Sequence, residues 1–226
     1  MGWFNPLKNI FVYTHKEQTL SSKLYFDEVA RHWDTMRANF FSEKTREKAL
    51  AIARLQKGKI AADIGAGTGF ITEGLIHRGL QVIAVDQSEE MLETMRKKFS
   101  SVKNIDYRLG EAENLPVSDN SVDYVFANMY LHHVESPSQA IIEMVRILKP
   151  GGILVITDLD EHHYEYLRVE QHDRWMGFKR KDVRQWLTEA SLQKITVDCI
   201  DEACCNQSNC GSYFSGISIF VATGEK

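Results

Sequence analysis

The 226-residue sequence predicts one α/β domain built on a doubly wound, mainly parallel β-sheet. Short apolar runs alternate along the chain with longer amphipathic segments, which is the pattern of strands joined by helices in a sheet covered on both faces. The first run of this series, Ile60 to Ile64, passes directly into a glycine-rich turn. A hydrophobic fraction of 43% and a charged fraction of 26% are ordinary for a globular protein with a core of this size.

Two helices are predicted ahead of the sheet, over residues 21–37 and 45–55. Residues 1–20 carry aromatic side chains without a clear period, and we expect them to form an extension that packs on the domain. The chain therefore divides into residues 1–57, an N-terminal extension with two helices, and residues 58–226, the sheet-containing domain. Three apolar residues are expected on the packed face of the first helix: Leu24, Val29 and Trp33.

The sheet region alternates strands and helices with short connections. Strands are predicted over residues 60–64, 81–86, 104–109, 122–127 and 153–158. The helices between them are predicted over residues 70–78, 89–99 and 138–148. Ser88 suits the N-cap of the second of these helices, and the KPGG run at residues 149–152 indicates a sharp turn.

The C-terminal part of the chain adds one helix and two strands. The helix is predicted over residues 181–190, and the strands over residues 196–200 and 217–223. Because the two strands follow each other without a helix between them, they indicate an antiparallel pair at the end of the sheet.

The turn after the first strand has the spacing Asp63-x-Gly65-x-Gly67-x-Gly69. Glycine lets the backbone turn sharply and approach a ligand without a Cβ atom in the way. A dinucleotide-binding loop requires a third glycine where this chain has Phe70, and a phosphate-binding P-loop requires a lysine that does not follow these glycines. The spacing therefore favours another nucleoside-containing ligand.

This glycine pattern resembles motif I of the class I S-adenosylmethionine-dependent methyltransferases. Residues 121–134 (SVDYVFANMYLHHV) resemble the fourth strand and following loop of their small-molecule branch, and residues 147–152 (ILKPGG) resemble the turn into their fifth strand. Residues 25–34 resemble the helix that covers the cofactor in the ubiquinone- and menaquinone-biosynthesis type, methyltransferase type 11. Together the matches run from residue 25 to residue 158 in the right order and spacing.

The resemblance implies a Rossmann-like, seven-stranded sheet of order 3-2-1-4-5-7-6, with the N-terminal helices as a lid. It also implies in-line transfer of a methyl group from S-adenosyl-L-methionine to a small-molecule acceptor at the C-terminal edge of the sheet. Because the sulfonium already activates the methyl group, such an enzyme has to align a nucleophile and exclude water, without a required metal or covalent intermediate. The sequence Asn128-Met129-Tyr130-Leu131 differs from the Asn/Asp-Pro-Pro-Tyr/Phe motif of enzymes that methylate amino groups of DNA or of protein glutamine, which disfavours a nucleic-acid acceptor.

Asp86 ends the second predicted strand, where an acid can accept hydrogen bonds from the two ribose hydroxyls of a nucleoside. Its alternative role is to cap the following helix. The cofactor carboxylate suits the N–H groups of the glycine loop, and Asp63 or a carbonyl can meet its ammonium. The resemblance places the adenine ring near Glu111 and Ala112. The predicted cofactor contacts are Tyr25, Trp33, Asp63, Gly65, Ala66, Gly67, Gly69, Asp86, Gln87, Ser88, Met91, Gly110, Glu111, Ala112, Asn128 and Met129.

His132 and His133 follow the fourth predicted strand, where the methyl acceptor is expected. Either can act as a general base because imidazole titrates near neutrality, and the alternative is that they pack or hydrogen-bond the cofactor loop. Residues 161–178 are dense in His, Tyr, Trp and Arg and resemble a segment of methyltransferases associated with ArsR-type regulators, so they either line the acceptor site or pack as a helix. The predicted acceptor contacts are Tyr130, His162, His163, His172 and Trp175.

Four cysteines lie within residues 199–210. Cys199 alternates with apolar residues and is predicted to be a buried strand residue, whereas Cys204, Cys205 and Cys210 fall in the loop that follows. Grouped thiols can hold a soft metal or metalloid such as arsenic, mercury or zinc, so one alternative function is methylation of a thiol-bound metalloid of the arsenic or selenium type. Adjacent cysteines are not the C-x-x-C spacing of a zinc knuckle, and incidental thiols are the other interpretation.

Two further functions belong to other classes. One is an S-adenosylmethionine-binding regulator without turnover. The other is a dinucleotide oxidoreductase, which ranks last because Phe70 occupies the position of the third glycine.

Charge and hydropathy exclude several kinds of partner. The net charge of -4 argues against nucleic-acid binding, which requires a clustered basic surface. No apolar run is long enough to span a bilayer, and the N-terminus lacks the features of a secretion signal. We therefore expect a cytoplasmic protein whose partner is a small molecule. The oligomeric state, including a homodimer, is not fixed by the sequence.

Overall fold

The computed structural model describes residues 15–38, 41–200 and 217–226. The strands in this part of the chain are β1 (Ile60–Ile64), β2 (Gln81–Asp86), β3 (Ile105–Leu109), β4 (Val122–Asn128), β5 (Leu148–Leu159), β6 (Gln193–Cys199) and β7 (Ile219–Glu225). They form one seven-stranded sheet of order β3-β2-β1-β4-β5-β7-β6, which confirms the predicted Rossmann-like topology.

Eight α-helices and one 3₁₀ turn (Leu131–His133) accompany the sheet in the described residues. The helices are α1 (His15–Val29), α2 (Trp33–Arg37), α3 (Glu43–Ile52), α4 (Phe70–His77), α5 (Glu89–Lys98), α6 (Pro137–Ile147), α7 (Glu165–Glu170) and α8 (Arg180–Glu189). Across these ranges, no helix combines the length and the apolar character that crossing a bilayer requires.

The central strand β1 pairs in parallel with β2 on one side and β4 on the other. Ala62 lies level with Ile83 of β2 and with Val125 of β4. Because the three strands run in the same direction, the loops that follow them meet at one edge of the sheet, which we call the carboxyl edge. The candidate site lies at this edge.

The last strand, β7, runs antiparallel to both β5 and β6, so the predicted antiparallel pair is confirmed. It follows that β6 runs parallel to the first five strands and ends at Cys199 on the carboxyl edge. Cys204, Cys205 and Cys210 lie outside the described residues, as do residues 1–14 of the predicted extension over residues 1–20. The remaining residues of that extension belong to α1 instead.

The hydrophobic core has two main layers, one on each face of the sheet. Successive side chains of a strand point to opposite faces. In β4, Tyr124 and Phe126 belong to the layer that α3 and α4 cover, whereas Val125 and Ala127 belong to the layer that α6 and α8 cover. The central strands β1 and β4 are therefore almost wholly buried, which accounts for their short apolar sequences.

The N-terminal region differs from the single predicted helix over residues 21–37. A turn at residues 30–32 separates α1 from α2, and the N–H of His32 bonds to the carbonyl of Val29 at 2.8 Å. The expected packing of Leu24 is wrong, since its side chain is 53% exposed. Ser22 of α1 and Ala30 of the following turn are buried instead, on a different side of the chain from Leu24.

The start of β5 also differs from the prediction. The strand begins at Leu148 rather than at residue 153, and it includes the predicted turn at residues 149–152. The reason is pairing with the C-terminus: the N–H of Gly151 bonds to the carbonyl of Lys226, and the N–H of Lys226 bonds to the carbonyl of Gly152. Gly151 adopts a φ of +78°, which permits the sharp bend that the sequence indicated.

The first prediction concerns α3, which packs into the core beside α4. Leu50 is 1% exposed and lies against Gly74 and Leu75, so Leu50→Ala should lower the free energy of unfolding by about 2–5 kcal/mol. Ile52 of the same helix is 41% exposed, and Ile52→Ala should cost less than about 1 kcal/mol. Equilibrium urea unfolding measures both values. Equal, small effects would mean that α3 does not belong to the core of the domain.

Candidate cofactor and acceptor site

A cavity of about 590 Å³ opens at the carboxyl edge between the glycine loop that follows β1 and the N-terminal helices. Its lining includes Tyr130, a predicted acceptor contact, and His133, a predicted general base. Ten predicted cofactor contacts also line it: Trp33, Asp63, Gly65, Ala66, Gly67, Asp86, Gln87, Met91, Asn128 and Met129. Residues separated by up to about a hundred positions in the sequence are thus brought together at one point.

The glycine loop is held by hydrogen bonds to β2. The N–H groups of Gly65 and Ala66 donate to the carbonyl of Val85, and the N–H of Gly67 donates to Oδ2 of Asp86 at 2.8 Å. Gly65 has a φ of +68°, and a Cβ atom there would overlap the ring of Tyr130. Gly67 has a φ of +54° and faces the indole of Trp33 across the cavity. Both conformations favour glycine.

Asp86 fixes the loop and also faces the cavity. Its Oδ1 accepts a bond from the N–H of Ser88 at 2.9 Å, so the carboxylate joins the glycine loop to the start of α5. Burial raises the pKa of Asp86 to about 6, although the backbone N–H groups of Ser88, Gly67 and Gln87 oppose this change. A buried carboxylate at the cavity wall suits an acceptor for ligand hydroxyls.

Asp63 joins the end of β1 to the first turn of α4. Its Oδ2 accepts bonds from the backbone N–H of Thr72 at 2.9 Å and from the Thr72 hydroxyl at 2.6 Å. Burial raises the pKa of Asp63 to about 7, against the effect of the two bonds from Thr72. Both bonds reach the same oxygen, so Oδ1 is the oxygen available to a ligand in the cavity.

The N-terminal helices form the roof of the cavity. The rings of Phe26 and Trp33 meet edge to face at 5.3 Å, and Phe26 meets His133 in the same way at 4.9 Å. The hydroxyl of Thr68 donates to Asp34 of α2 at 2.7 Å. The hydroxyl of Ser88 donates to Asp27 of α1 at 2.6 Å. The helices are therefore fastened to both the glycine loop and the start of α5.

Tyr130 separates this cavity from a neighbouring one that Glu111 lines. The Tyr130 side chain lies across Gly65, and its hydroxyl accepts a bond from the backbone N–H of Ala112. Burial is the main cause that raises the pKa of Tyr130 well above its usual value. Tyr130 thus occupies the space between the glycine loop and the predicted adenine contacts Glu111 and Ala112.

The remaining predicted cofactor contacts have structural roles. Ser88 is fully buried and accepts the N–H of Met91 at 3.1 Å, so it is the N-cap of α5, as predicted. A Cβ atom at Gly69 would overlap Phe99, and one at Gly110 would overlap Pro116, so both glycines permit close packing. Tyr25 donates to Gln171 at 3.0 Å and its ring lies 4.8 Å from that of His172.

A second cavity of about 380 Å³ adjoins the first at the carboxyl edge. Its polar walls come from His132, Gln171 and Asp173, and Leu159 contributes an apolar wall. Five residues line both cavities: Phe26, Trp33, Phe41, Met129 and His133. The two cavities therefore meet at a border that consists mainly of aromatic side chains.

The two histidines lie in the 3₁₀ turn after β4 and are both buried. Nδ1 of His132 lies 2.6 Å from Oδ1 of Asp158, at the end of β5, and the backbone N–H of His132 donates to Oδ2 of the same carboxylate. On its other side, Nε2 of His132 is 3.7 Å from Oδ1 of Asp173. His133 Nε2 is 4.0 Å from the same Asp173 oxygen.

The charges of this cluster oppose the effect of burial on His132. Burial alone would lower its pKa, but the carboxylates of Asp158 and Asp173 raise the pKa of His132 to about 9. For His133, burial and the neighbouring His132 charge lower the pKa well below its usual range. Burial raises the pKa of Asp173 to about 6, which the charge of His132 limits. Of the two predicted bases, His132 therefore has a raised pKa and His133 a lowered one.

The other predicted acceptor contacts line neither of these two cavities. His162 is buried beside the His132 cluster, His163 is exposed, and His172 packs on Tyr25. The indole N–H of Trp175 donates to the carbonyl of Val134 at 2.9 Å, which holds the segment after α7 against the 3₁₀ turn. The aromatic density of residues 161–178 thus reflects packing around the site, whereas Gln171 and Asp173 are the residues of this segment that line the second cavity.

The two acids that surround His132, Asp158 and Asp173, are not among the residues predicted from the sequence. Asp158 ends β5 at the carboxyl edge, so the rule that singled out Asp86 at the end of β2 could have found it. Asp173 lies in an irregular loop between α7 and α8, where no periodicity indicates the direction of a side chain. Phe26 and Phe41 were also missed as parts of the cavity walls.

Comparison with known proteins agrees with this fold. Residues 62–156 match the family model described as "Methyltransferase domain". The chain is 31% identical over 88% of its length to the biotin biosynthesis bifunctional protein BioHC of Cellvibrio japonicus. It is 34% identical over 60% of its length to the demethylmenaquinone methyltransferase of Staphylococcus epidermidis. The chain spans 40% and 59% of these two relatives' own lengths, respectively.

A solved structure supports the same assignment at the level of the fold. The methyltransferase bound to the Haloferax volcanii Trm112 methyltransferase activator superposes with a TM-score of 0.74 at 20% identity, covering 88% of this chain and 96% of that one. A glycine loop after β1 and an acid at the end of β2 are an arrangement that α/β proteins use to bind a nucleoside. Together with the match of residues 62–156 to a methyltransferase domain, they make the chain similar to the class I S-adenosylmethionine-dependent methyltransferases of the small-molecule type.

The second prediction follows from Asp86. If its carboxylate accepts the ribose hydroxyls, Asp86→Ala should weaken S-adenosylhomocysteine binding about tenfold to a hundredfold, because charged hydrogen bonds contribute about 1.5–3 kcal/mol. Since the pKa of Asp86 is raised to about 6, the carboxylate is lost as the pH falls through 6, and affinity should fall between pH 7 and pH 5. Isothermal titration calorimetry across this range measures both effects.

A matched variant separates Asp86 from the other buried acid in this cavity. Asp86→Asn should bind weakly with a flat pH profile below pH 6, whereas Asp63→Asn should keep the decline. A profile that flattens only in Asp63→Asn would assign the pH dependence to Asp63, whose pKa is about 7.

The third prediction concerns the glycine loop. Gly67→Ala should place a methyl group in the cavity, 3.6 Å from Nε1 of Trp33, and weaken S-adenosylhomocysteine binding at least about tenfold. Gly58→Ala is the matched control, because Gly58 also has a positive φ, +83°, but has nothing within 4 Å of a Cβ atom. Both variants should lose about 1–2 kcal/mol of stability from backbone strain. Equal affinities in the two variants would place the cofactor elsewhere.

Proposed function

We propose that this protein transfers the methyl group of S-adenosylmethionine to a small acceptor that occupies the second cavity. The observation that carries the proposal is the shared lining of the two cavities by Phe26, Trp33, Phe41, Met129 and His133. A cofactor in the first cavity and an acceptor in the second would meet at this border. Such an arrangement suits in-line displacement, which requires a nucleophile directly behind the methyl carbon.

The cofactor would extend along the carboxyl edge from the glycine loop towards α5. In this proposal Asp86 accepts the ribose hydroxyls, and Gln87 and Met91 flank the nucleoside. Asp63 lines the cavity, and its Oδ1 would meet the ammonium of the amino acid end, because Thr72 uses the other oxygen. Tyr130 would have to move from Gly65 for adenine to reach Glu111 and Ala112.

The acceptor would have an apolar or aromatic body and a protic nucleophilic group. Phe26, Trp33 and Phe41 supply aromatic walls that exclude water from the methyl group, which an activated sulfonium requires. His132, His133 and Asp173 are the polar groups of the same cavity and would contact the nucleophilic atom. An oxygen or nitrogen nucleophile fits this polar cluster better than a carbon nucleophile, which needs no hydrogen-bond partners.

The other functions weighed from the sequence have less support. The metalloid alternative depends on Cys204, Cys205 and Cys210, which lie outside the described residues. Neither relative compared above is named as a metalloid methyltransferase or as a regulator. The cytoplasmic location, the homodimer and the division of the chain at residue 57 stay predictions.

The direct test is to incubate the full chain with S-adenosylmethionine and a panel of acceptors: carboxylic acids, phenols, hydroxyquinones, amines and thiols. The proposal expects S-adenosylhomocysteine to form only when a suitable acceptor is present. Cofactor binding without turnover across the whole panel would instead favour the regulator.

The fourth prediction separates the two cavities with the acceptor that this panel identifies. Gln171 lines only the second cavity, so Gln171→Ala should raise the acceptor KM several-fold and leave the dissociation constant of S-adenosylhomocysteine within about twofold. Met91 lines only the first, so Met91→Ala should weaken the cofactor and leave the acceptor KM nearly unchanged. Steady-state kinetics and calorimetry give the two constants. If Gln171→Ala instead weakened the cofactor and Met91→Ala raised the acceptor KM, the cofactor would occupy the second cavity and the acceptor the first.

A further inference from the structure

Three side chains on the wall of the second cavity converge with the geometry of metal ligands. One nitrogen each from His132 and His133 and one carboxylate oxygen of Asp173 lie within 4.8 Å of one another. The Asp173 oxygen is 3.7 Å from Nε2 of His132 and 4.0 Å from Nε2 of His133. Atoms that bind one ion at about 2.0–2.2 Å lie at most about 4.4 Å apart, so the two distances to Asp173 fit a shared ion. The limit of 4.8 Å for all three atoms means that the side chains would close by a few tenths of an ångström around it.

The outer partner of His132 is also the one expected at a metal site. Its Nδ1 is 2.6 Å from a carboxylate oxygen of Asp158, which fixes the ring and leaves Nε2 directed at Asp173. Histidines that bind metals commonly donate their second ring N–H to a carboxylate in this way, and the partner raises the basicity of the ligand nitrogen. Asp158 is itself held in place by the backbone N–H groups of His132 and Leu159.

Burial and charge are compatible with a cationic ligand. The side chains of Asp158 and Asp173 are 0% and 3% exposed, and buried carboxylates require compensating positive charge, which either a protonated His132 or a bound cation can supply. Nδ1 of His133 and Nε2 of His162 are buried without a hydrogen-bond partner within the part of the chain that the structure describes. Such atoms are costly to leave unpaired, so the region favours binding of an additional group.

We propose that His132, His133 and Asp173 bind a divalent first-row transition-metal ion such as Zn²⁺. Two imidazoles and one carboxylate are a common ligand set for these ions, and three protein ligands leave a coordination position open. That position would face the second cavity, whose wall the three residues form. Oxygen-only cations such as Ca²⁺ and Mg²⁺ fit this nitrogen-rich set less well.

The role of the ion rests on the proposed function. An acceptor hydroxyl bound at the open position would have a lowered pKa and release its proton to solvent. Its oxygen would then form a bond to the methyl carbon while the carbon–sulfur bond breaks. The electron pair of that bond passes to sulfur, which leaves as neutral S-adenosylhomocysteine, and the products are the methyl ether or ester and one proton.

Metal binding can be tested without turnover. The full chain is freed of metal with a chelator and titrated with Co²⁺, whose visible absorption reports coordination, and with Zn²⁺ in competition. We expect one ion per chain in the wild type, and at least a tenfold loss of affinity in His132→Ala and in Asp173→Asn. His77→Ala removes an exposed histidine of α4 and should bind as the wild type does. Circular dichroism and S-adenosylhomocysteine binding check that each variant is folded.

The cysteines provide the competing site, so the titration is repeated with all four replaced by serine. The proposal expects this variant to bind the ion with unchanged affinity and the wild type to show no thiolate-to-cobalt charge-transfer absorption. Any of three results would overturn the proposed metal site. These are loss of metal binding in the serine variant, metal affinity in the His132 and Asp173 variants equal to that of the wild type, and no metal binding by the wild type.

The outcome is distinguishable from failure of the proposed function. If the metal-free protein still transfers methyl groups, the proposed methyltransferase function stands and the ion has no part in the reaction. If the three residues bind an ion but no acceptor is methylated, the metal site stands and the proposed reaction is wrong.

Discussion

The carboxylate of Asp86 connects the parts on which the candidate site depends. It ends β2 next to the loop that follows β1, because the two strands are parallel and in register. From there it accepts N–H groups from Gly67 and Ser88, and Ser88 in turn donates to Asp27 of α1. The glycine loop, the start of α5 and the roof of the cavity are thus linked through one buried acid.

Burial gives this acid its chemical character. Desolvation disfavours the charged form, and the pKa of Asp86 rises to about 6 even with backbone donors directed at it. A further pair of hydroxyl donors would stabilise the carboxylate in the same way. The Asp86 carboxylate is therefore well suited to accept hydrogen bonds from a ligand that carries two neighbouring hydroxyls.

The electrostatics of the second cavity differ from those around Asp86. His132 lies between Asp158 and Asp173, and the two carboxylates reverse the effect of burial on its pKa. His133 lies next to it in the chain and 4.0 Å from an oxygen of Asp173, but burial and the charge of His132 lower the pKa of His133 well below its usual range. The cluster is therefore polar and negatively charged apart from its histidines, while the border that it shares with the cofactor cavity is aromatic. This contrast suits a reaction in which a polar nucleophile meets a cationic methyl donor in a dry environment.

The base of the site is more extensively packed than its roof. The strands beneath it are buried on both faces, and β4 sends alternate side chains into the two core layers. The roof instead depends on a few side-chain contacts, such as the bond from Thr68 to Asp34 and the edge-to-face contact of Phe26 with Trp33. Interactions of this kind can be broken and remade at modest cost, as entry of a cofactor requires.

The sequence by itself determined the parts of this protein that depend on local pattern. The strand and helix alternation, the N-cap at Ser88 and the position of Asp86 follow from residue spacing within short segments. The strand order came from the resemblance to a known family rather than from periodicity. Parallel strands place their carboxyl ends at one edge, so residues that end such strands could be assigned to one site.

Only the tertiary structure decided which distant side chains meet there. The turn at residues 30–32 brings Trp33 over Gly67 and leaves Leu24 exposed. The hydrophobic periodicity of this segment does not predict the turn. His132, Asp158 and Asp173 come from three separate segments and meet only because β4 and β5 pair while the loop after α7 folds back across them. The free energy of such contacts comes from packing and desolvation between segments, which residue spacing along the chain does not record.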